Sequence, residues 1–147
     1  MKTSWLSLIF VTLIIAVASP ATAYQYVIFS LNSEIKPLSK SQTKMLYRGK
    51  TNHIQGINVH LVDLPTSSKH KEQFYRALLG KNPNQMQIIW ARQSFSGRAK
   101  APFQLRKSDT RSILSWLEKN STGIAYLPIK EVPRNVNILY ISDFSPP

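Results

Sequence analysis

The chain has 147 residues, no cysteine and a formal net charge of +12. Without thiols it cannot be a disulfide scaffold, hold a thiolate metal site or use a cysteine nucleophile, so its stability must come from a buried apolar core. The basic surplus favours anionic partners: small oxyanions, acidic polymers or anionic lipid heads. Because Lys and Arg are scattered and form no dense block, a purely solubilising role is the simpler alternative.

The first 23 residues read as a secretory signal peptide. Met1 and Lys2 give a short positive start, an apolar run extends from Trp5 to Val17, and Ala21-Thr22-Ala23 forms a small-x-small cleavage site. The run is shorter than the roughly 20 apolar residues a spanning helix needs, so the protein is not expected to span the membrane. Residues 24–147 then form one domain with a net charge of +11, periplasmic or secreted.

Tyr24 to Leu31, YQYVIFSL, is aromatic and β-branched, as a buried strand is. In LSKSQTKMLYRGK, Ser39 and Gln42 have capping-box spacing, Met45 and Leu46 supply an apolar side and Gly49 is placed to end the helix. Asn58 to Leu64, NVHLVDL, alternates Val59, Leu61 and a central Asp63 with other residues and predicts a second strand. A helix over 68–79 follows, with Phe74, Tyr75 and Leu78 on one side and Gly80 past its end. Asn82 caps a further helix with Pro83 at its first position and Met86, Ile89 and Trp90 on its buried face.

Residues 94–107 have no periodicity and read as a loop. Ser108 is expected to open a helix with Ile113, Leu114 and Leu117 inward, and GIAYLPI and NVNILYI are the last strands, with Pro133 in the turn between. The tail SDFSPP is expected to be loosely held. Strands alternating with helices predict an α/β domain with a sheet that is at least partly parallel.

In such sheets ligands bind beyond the carboxyl ends of strands, where the next helix begins. The first amides of a helix lack internal partners and sit at its positive end, so the turn from Leu64 to Ser68 is a candidate oxyanion site with Thr66, Ser67 and Ser68 as added donors. The competing reading is a simple N-cap. His53, His60 and His70 lack metal-ligand spacing, Ser67 and His70 have no third partner for nucleophilic catalysis, and RGK at 48–50 is no P-loop. Neither an enzyme, a cofactor nor specific nucleic-acid binding is expected.

Taken in order, Leu38-Ser39, Gly49-Lys50, the strand leading to Ser68 and Phe74, then Trp90, Arg92, Phe95, Ser96, Gly97, Pro102 and Gly123-Ile124-Ala125-Tyr126 resemble the phosphate-binding proteins that serve bacterial ABC importers. The likeness covers about residues 27–128 and resides in order and spacing rather than in one motif. It implies a periplasmic binding protein-like lobe, with a mixed, mostly parallel sheet flanked by helices. It also implies a noncatalytic role in phosphate transport, with phosphate or a similar oxyanion as ligand and an ABC transporter membrane component as partner. The family's fold is two α/β lobes closing on the anion, part of which rests on a helix N-terminus with a Ser-Gly-Thr turn. Aligned on Phe74, that turn falls on Ser68, Lys69 and His70, of which Ser68 alone matches. Leu64 stands near the family's arginine, which implies a one-lobed, reduced relative that binds weakly. Arg98, beside Gly97, is the candidate for added positive charge. The rival class is a basic envelope protein that binds polyanions or a protein partner.

Overall fold

A computed structural model describes residues 24–142; the expected signal peptide and most of the tail lie outside this range. The elements are β1 (Tyr26–Ser30), α1 (Lys40–Tyr47), β2 (His53–Ile54), β3 (Ile57–Asn58), β4 (His60–Asp63), α2 (Lys69–Leu79), α3 (Pro83–Phe95), β5 (Phe103–Gln104), α4 (Thr110–Lys119), β6 (Gly123–Pro128) and β7 (Asn137–Ser142), with a 3-10 turn at Ile129–Glu131.

Five strands form one sheet in the order β5-β4-β6-β1-β7. β4 pairs in parallel with both β5 and β6, while β1 is antiparallel to both β6 and β7. Four strands therefore point one way and β1 alone opposes them. This is the mixed, mostly parallel α/β sheet expected from the sequence. β1 is buried along its whole length, so it carries an unbroken apolar run rather than an alternating one.

Local chemistry sets the helix ends. Ser39 with Gln42 and Asn82 with Gln85 close reciprocal capping boxes, and Pro83 occupies the first turn of α3. Gly80 ends α2 in the left-handed conformation, as does Gly49 just beyond α1, at φ +65° and +67°. Gly49 is also a packing requirement, since a Cβ there would stand 2.7 Å from the Trp90 ring.

Three expectations need correction. Residues 94–107 are not all loop: α3 runs on to Phe95, and Phe103–Gln104 adds the edge strand β5 beside Val62 and Asp63. The last helix is capped by Asp109 rather than opened by Ser108, because the Asp109 carboxylate accepts from the Ser112 amide at 2.8 Å. A small β2–β3 hairpin precedes β4, which begins at His60 rather than Asn58.

Side chains alternate across a strand, so β6 meets helices on both faces. On one face Tyr126 stacks on Phe74 of α2, with ring centroids 3.6 Å apart and planes 5° from parallel, and Tyr47 of α1 stands edge-on to both rings. On the other, Gly123 lies against Trp116 and Leu117 of α4, where a Cβ would come within 3 Å of each. Met86 and Trp90 of α3 are buried as expected, with Ile89 partly so.

Candidate anion site

β4 ends in Asp63, and the chain crosses Leu64 to Ser67 before α2 begins. A carboxylate in an otherwise apolar strand must find donors. Asp63 is 5% exposed and has four: the Leu64 amide at 2.8 Å, the Tyr75 hydroxyl at 2.8 Å, the Tyr126 hydroxyl at 2.5 Å and the Lys71 ammonium at 3.0 Å. Lys71 and Tyr75 are four residues apart on α2 and so share the face turned to Asp63. Burial, and then the Asp63 charge, push the Tyr75 and Tyr126 hydroxyls well above their ordinary pKa, so both act as neutral donors. The Trp90 indole N–H is buried near this cluster, where its side chain interacts with that of Tyr75, and among the described residues it closes no hydrogen bond of ordinary geometry.

A cavity of about 300 Å³ opens beside this ion pair, lined among others by Asp63, Thr66, Lys71, Ser94, Trp90 and Gln104. Thr66 is exposed, and its hydroxyl oxygen accepts from the Gln104 side-chain amide at 2.9 Å. That contact leaves the Thr66 proton available to another acceptor. A larger groove of about 530 Å³ continues past Pro102 toward His60, Lys100 and Trp116. Among the described residues it holds no buried ion pair, and it lies toward the start of β4.

Ser68 caps α2, its hydroxyl accepting from the Lys71 amide at 3.4 Å, a long contact. The Ser68 amide is itself bonded to the Pro65 carbonyl at 2.9 Å, so the Lys69 and His70 amides remain as the orphan donors of the first turn. Ser67 is exposed in the turn.

The other two candidates are placed elsewhere. The His70 ring turns to the opposite flank of α2, with Nδ1 at 3.3 Å from the Tyr26 hydroxyl and Nε2 at 3.4 Å from the Glu131 carboxylate. The Tyr26 hydroxyl donates to the Gln73 side chain at 2.8 Å, and its pKa is pushed up to about 12, chiefly by burial and then by Tyr24 and Glu131. Arg98 is exposed just past α3, and among the described residues no ion pair or hydrogen bond joins its guanidinium to the 66–68 turn. Of the five candidates, Thr66 alone lines the cavity.

Sequence reasoning missed Lys71, Gln104 and the role of Asp63. The signal for two of them was present: a carboxylate in the apolar stretch NVHLVDL demands a buried cation, and Lys71 is the lysine that lies a turn below the Phe74–Tyr75 face. Gln104 had no local signal, since it pairs with Asp63 across the β4–β5 ladder from a distant part of the chain.

No protein-family model matches this chain, and no curated protein matches it. Several solved structures are similar in fold, two of them phosphate transport proteins. One is an ABC-type phosphate transport receptor from Vibrio cholerae, with a TM-score of 0.58 and 12% identity over 80% of this chain and 46% of that one. The other is a putative phosphate ABC transporter substrate-binding protein with bound phosphate from Clostridium perfringens, with a TM-score of 0.57 and 17% identity over 80% and 44%. At these identities the likeness is one of fold. The chain spans less than half the length of either structure.

Proposed function

We propose that this is an exported, noncatalytic domain that binds phosphate or a similar oxyanion weakly, as a reduced relative of substrate-binding proteins, with an ABC transporter membrane component as partner. One observation carries the reading. The Thr66 hydroxyl and the Lys71 ammonium of the first turn of α2 meet around one cavity at the carboxyl end of β4, where α/β sheets receive ligands. Helix amides and the positive dipole end favour an anion, and Lys71 adds a cation with donors to spare. The fold it shares with two phosphate transport proteins supports this reading.

Weak binding follows from the same geometry. Asp63 already offsets the Lys71 charge, and Leu64 supplies no guanidinium, so an entering anion meets a site with little net charge. The test is calorimetry and thermal denaturation of residues 24–147 with phosphate, sulfate and related oxyanions. A ligand that binds the native state alone raises its melting temperature, so saturable one-to-one binding in the millimolar range with such a rise is the expected result. Binding that is salt-dependent, unsaturated and indifferent to the anion would instead favour a polyanion-binding surface.

A further inference from the structure

α3 is apolar on both sides. Met86 and Trp90 face the core, and Ile88 and Phe95, one heptad apart, stand on the opposite face at 61% and 97% exposure, with Ala91 exposed between them. A helix with a second apolar stripe in water is one that lacks a partner.

The chemistry of that partner can be read from the neighbouring charge. Beside the stripe lies a pocket of about 170 Å³ lined by Arg48, Lys50, Lys81 and Arg92 with Ile89 and Gln93. Among the described residues none of these four cations has a carboxylate within ion-pair distance. Arg48 and Lys50 follow the end of α1 and Lys81 the end of α2, where a helix dipole accounts for a lone cation. It does not account for four cations converging from three elements. Arg98 and Lys100 extend the positive charge beyond Phe95, and residues 73–108 contain seven basic residues and no acidic one.

We propose that this face of α3 docks on an anionic lipid bilayer. Phe95 and Ile88 enter the interface, and the pocket of Arg48, Lys50, Lys81 and Arg92 holds lipid phosphates. Exposed apolar side chains set among cations are the composition of an interfacial surface, since apolar burial and attraction to anionic headgroups act together at a charged bilayer. The proposal is separate from the Thr66 cavity and stands or falls without it.

The core of the described residues lies within 26–142, so residues 24–147 can be tested without the apolar leader. Vesicle co-sedimentation at about 0.15 M salt compares phosphatidylglycerol–phosphatidylcholine vesicles with pure phosphatidylcholine. The wild-type chain is expected to bind the anionic vesicles at least about ten-fold more tightly. Ile88→Ser with Phe95→Ser, and separately Arg48→Gln with Arg92→Gln, should each weaken that binding about ten-fold or more, with unchanged melting temperature because all four side chains are exposed.

Failure to bind anionic vesicles overturns the proposal, as does full binding by the serine variant. Two further results also overturn it. Sedimentation equilibrium that finds a dimer abolished by the serine substitutions would assign the stripe to a second copy. Displacement from vesicles by millimolar inorganic phosphate, with calorimetric phosphate binding lost in the glutamine variant, would make the pocket a free-anion site.

Discussion

The Lys71 ammonium lies 3.0 Å from the Asp63 carboxylate, and the two residues are only 8% and 5% exposed. A buried pair owes little net stability to its own attraction, because desolvation offsets it, yet removing one partner strands the other. Lys71→Met should therefore cost about 3 to 5 kcal/mol in urea denaturation. Adding Asp63→Asn to it should recover part of that loss. Full additivity of the two substitutions would show that the pair is not coupled.

Gly49 and Trp90 form a second coupled pair. Gly49→Ala places a Cβ at positive φ, for roughly 1 to 3 kcal/mol, and against the Trp90 ring. Trp90→Ala should cost about 3 to 5 kcal/mol through the cavity it leaves. In the Trp90→Ala background the contact is gone, so Gly49→Ala should cost less than in the wild type. A double-mutant cycle measures the difference.

Alkaline stability follows from the buried tyrosines. Burial first and the Asp63 charge second hold Tyr47, Tyr75 and Tyr126 well above the ordinary value of 10.0. A folded-state pKa above the unfolded one gives stability that is fully present below about pH 10 and is lost as pH rises toward the folded values. Melting temperature should thus fall steadily above pH 10. These three tyrosines should ionise, by absorbance at the tyrosinate band, only together with unfolding.

Ser68 separates capping from anion binding. Ser68→Ala should cost about 0.5 to 2 kcal/mol, toward the lower end given the 3.4 Å contact. Ser68→Asp should cap at least as well but repel an anion held by the first-turn amides. A wild-type melting curve with weaker phosphate binding is the expected outcome for the Asp variant. Equal phosphate binding by that variant would leave the turn as a cap alone.

What the sequence made legible was mostly local. The capping box at Ser39, the Asn82 cap and the left-handed glycines at 49 and 80 follow from contacts within a few residues, and these helix ends stand where the spacing placed them. The β2–β3 hairpin escaped because its turn, Gln55-Gly56, has positive φ at both residues but lacks the Asn or Asp that usually marks such a turn. β5 escaped because two residues without alternation become a strand only beside β4. At the site, the turn and its cap were legible. The orientation of His70 toward Tyr26 and Glu131, and the meeting of Lys71 with Asp63, depend on elements that come together only in the fold.

The solitary orientation of β1 bears on when the domain can assemble. Its hydrogen-bonding neighbours are the last two strands, with Tyr26 opposite Pro128 on one side and Ser142 on the other. A chain emerging from the ribosome thus carries its most apolar strand without either partner until synthesis of the domain is nearly finished, and contacts this distant in sequence form slowly. Helices α1 to α4 can form while the chain grows, but the sheet's middle is empty of lasting pairs until β6 and β7 arrive. β1 therefore stays unpaired until late in synthesis, and an apolar strand left waiting is exposed to aggregation.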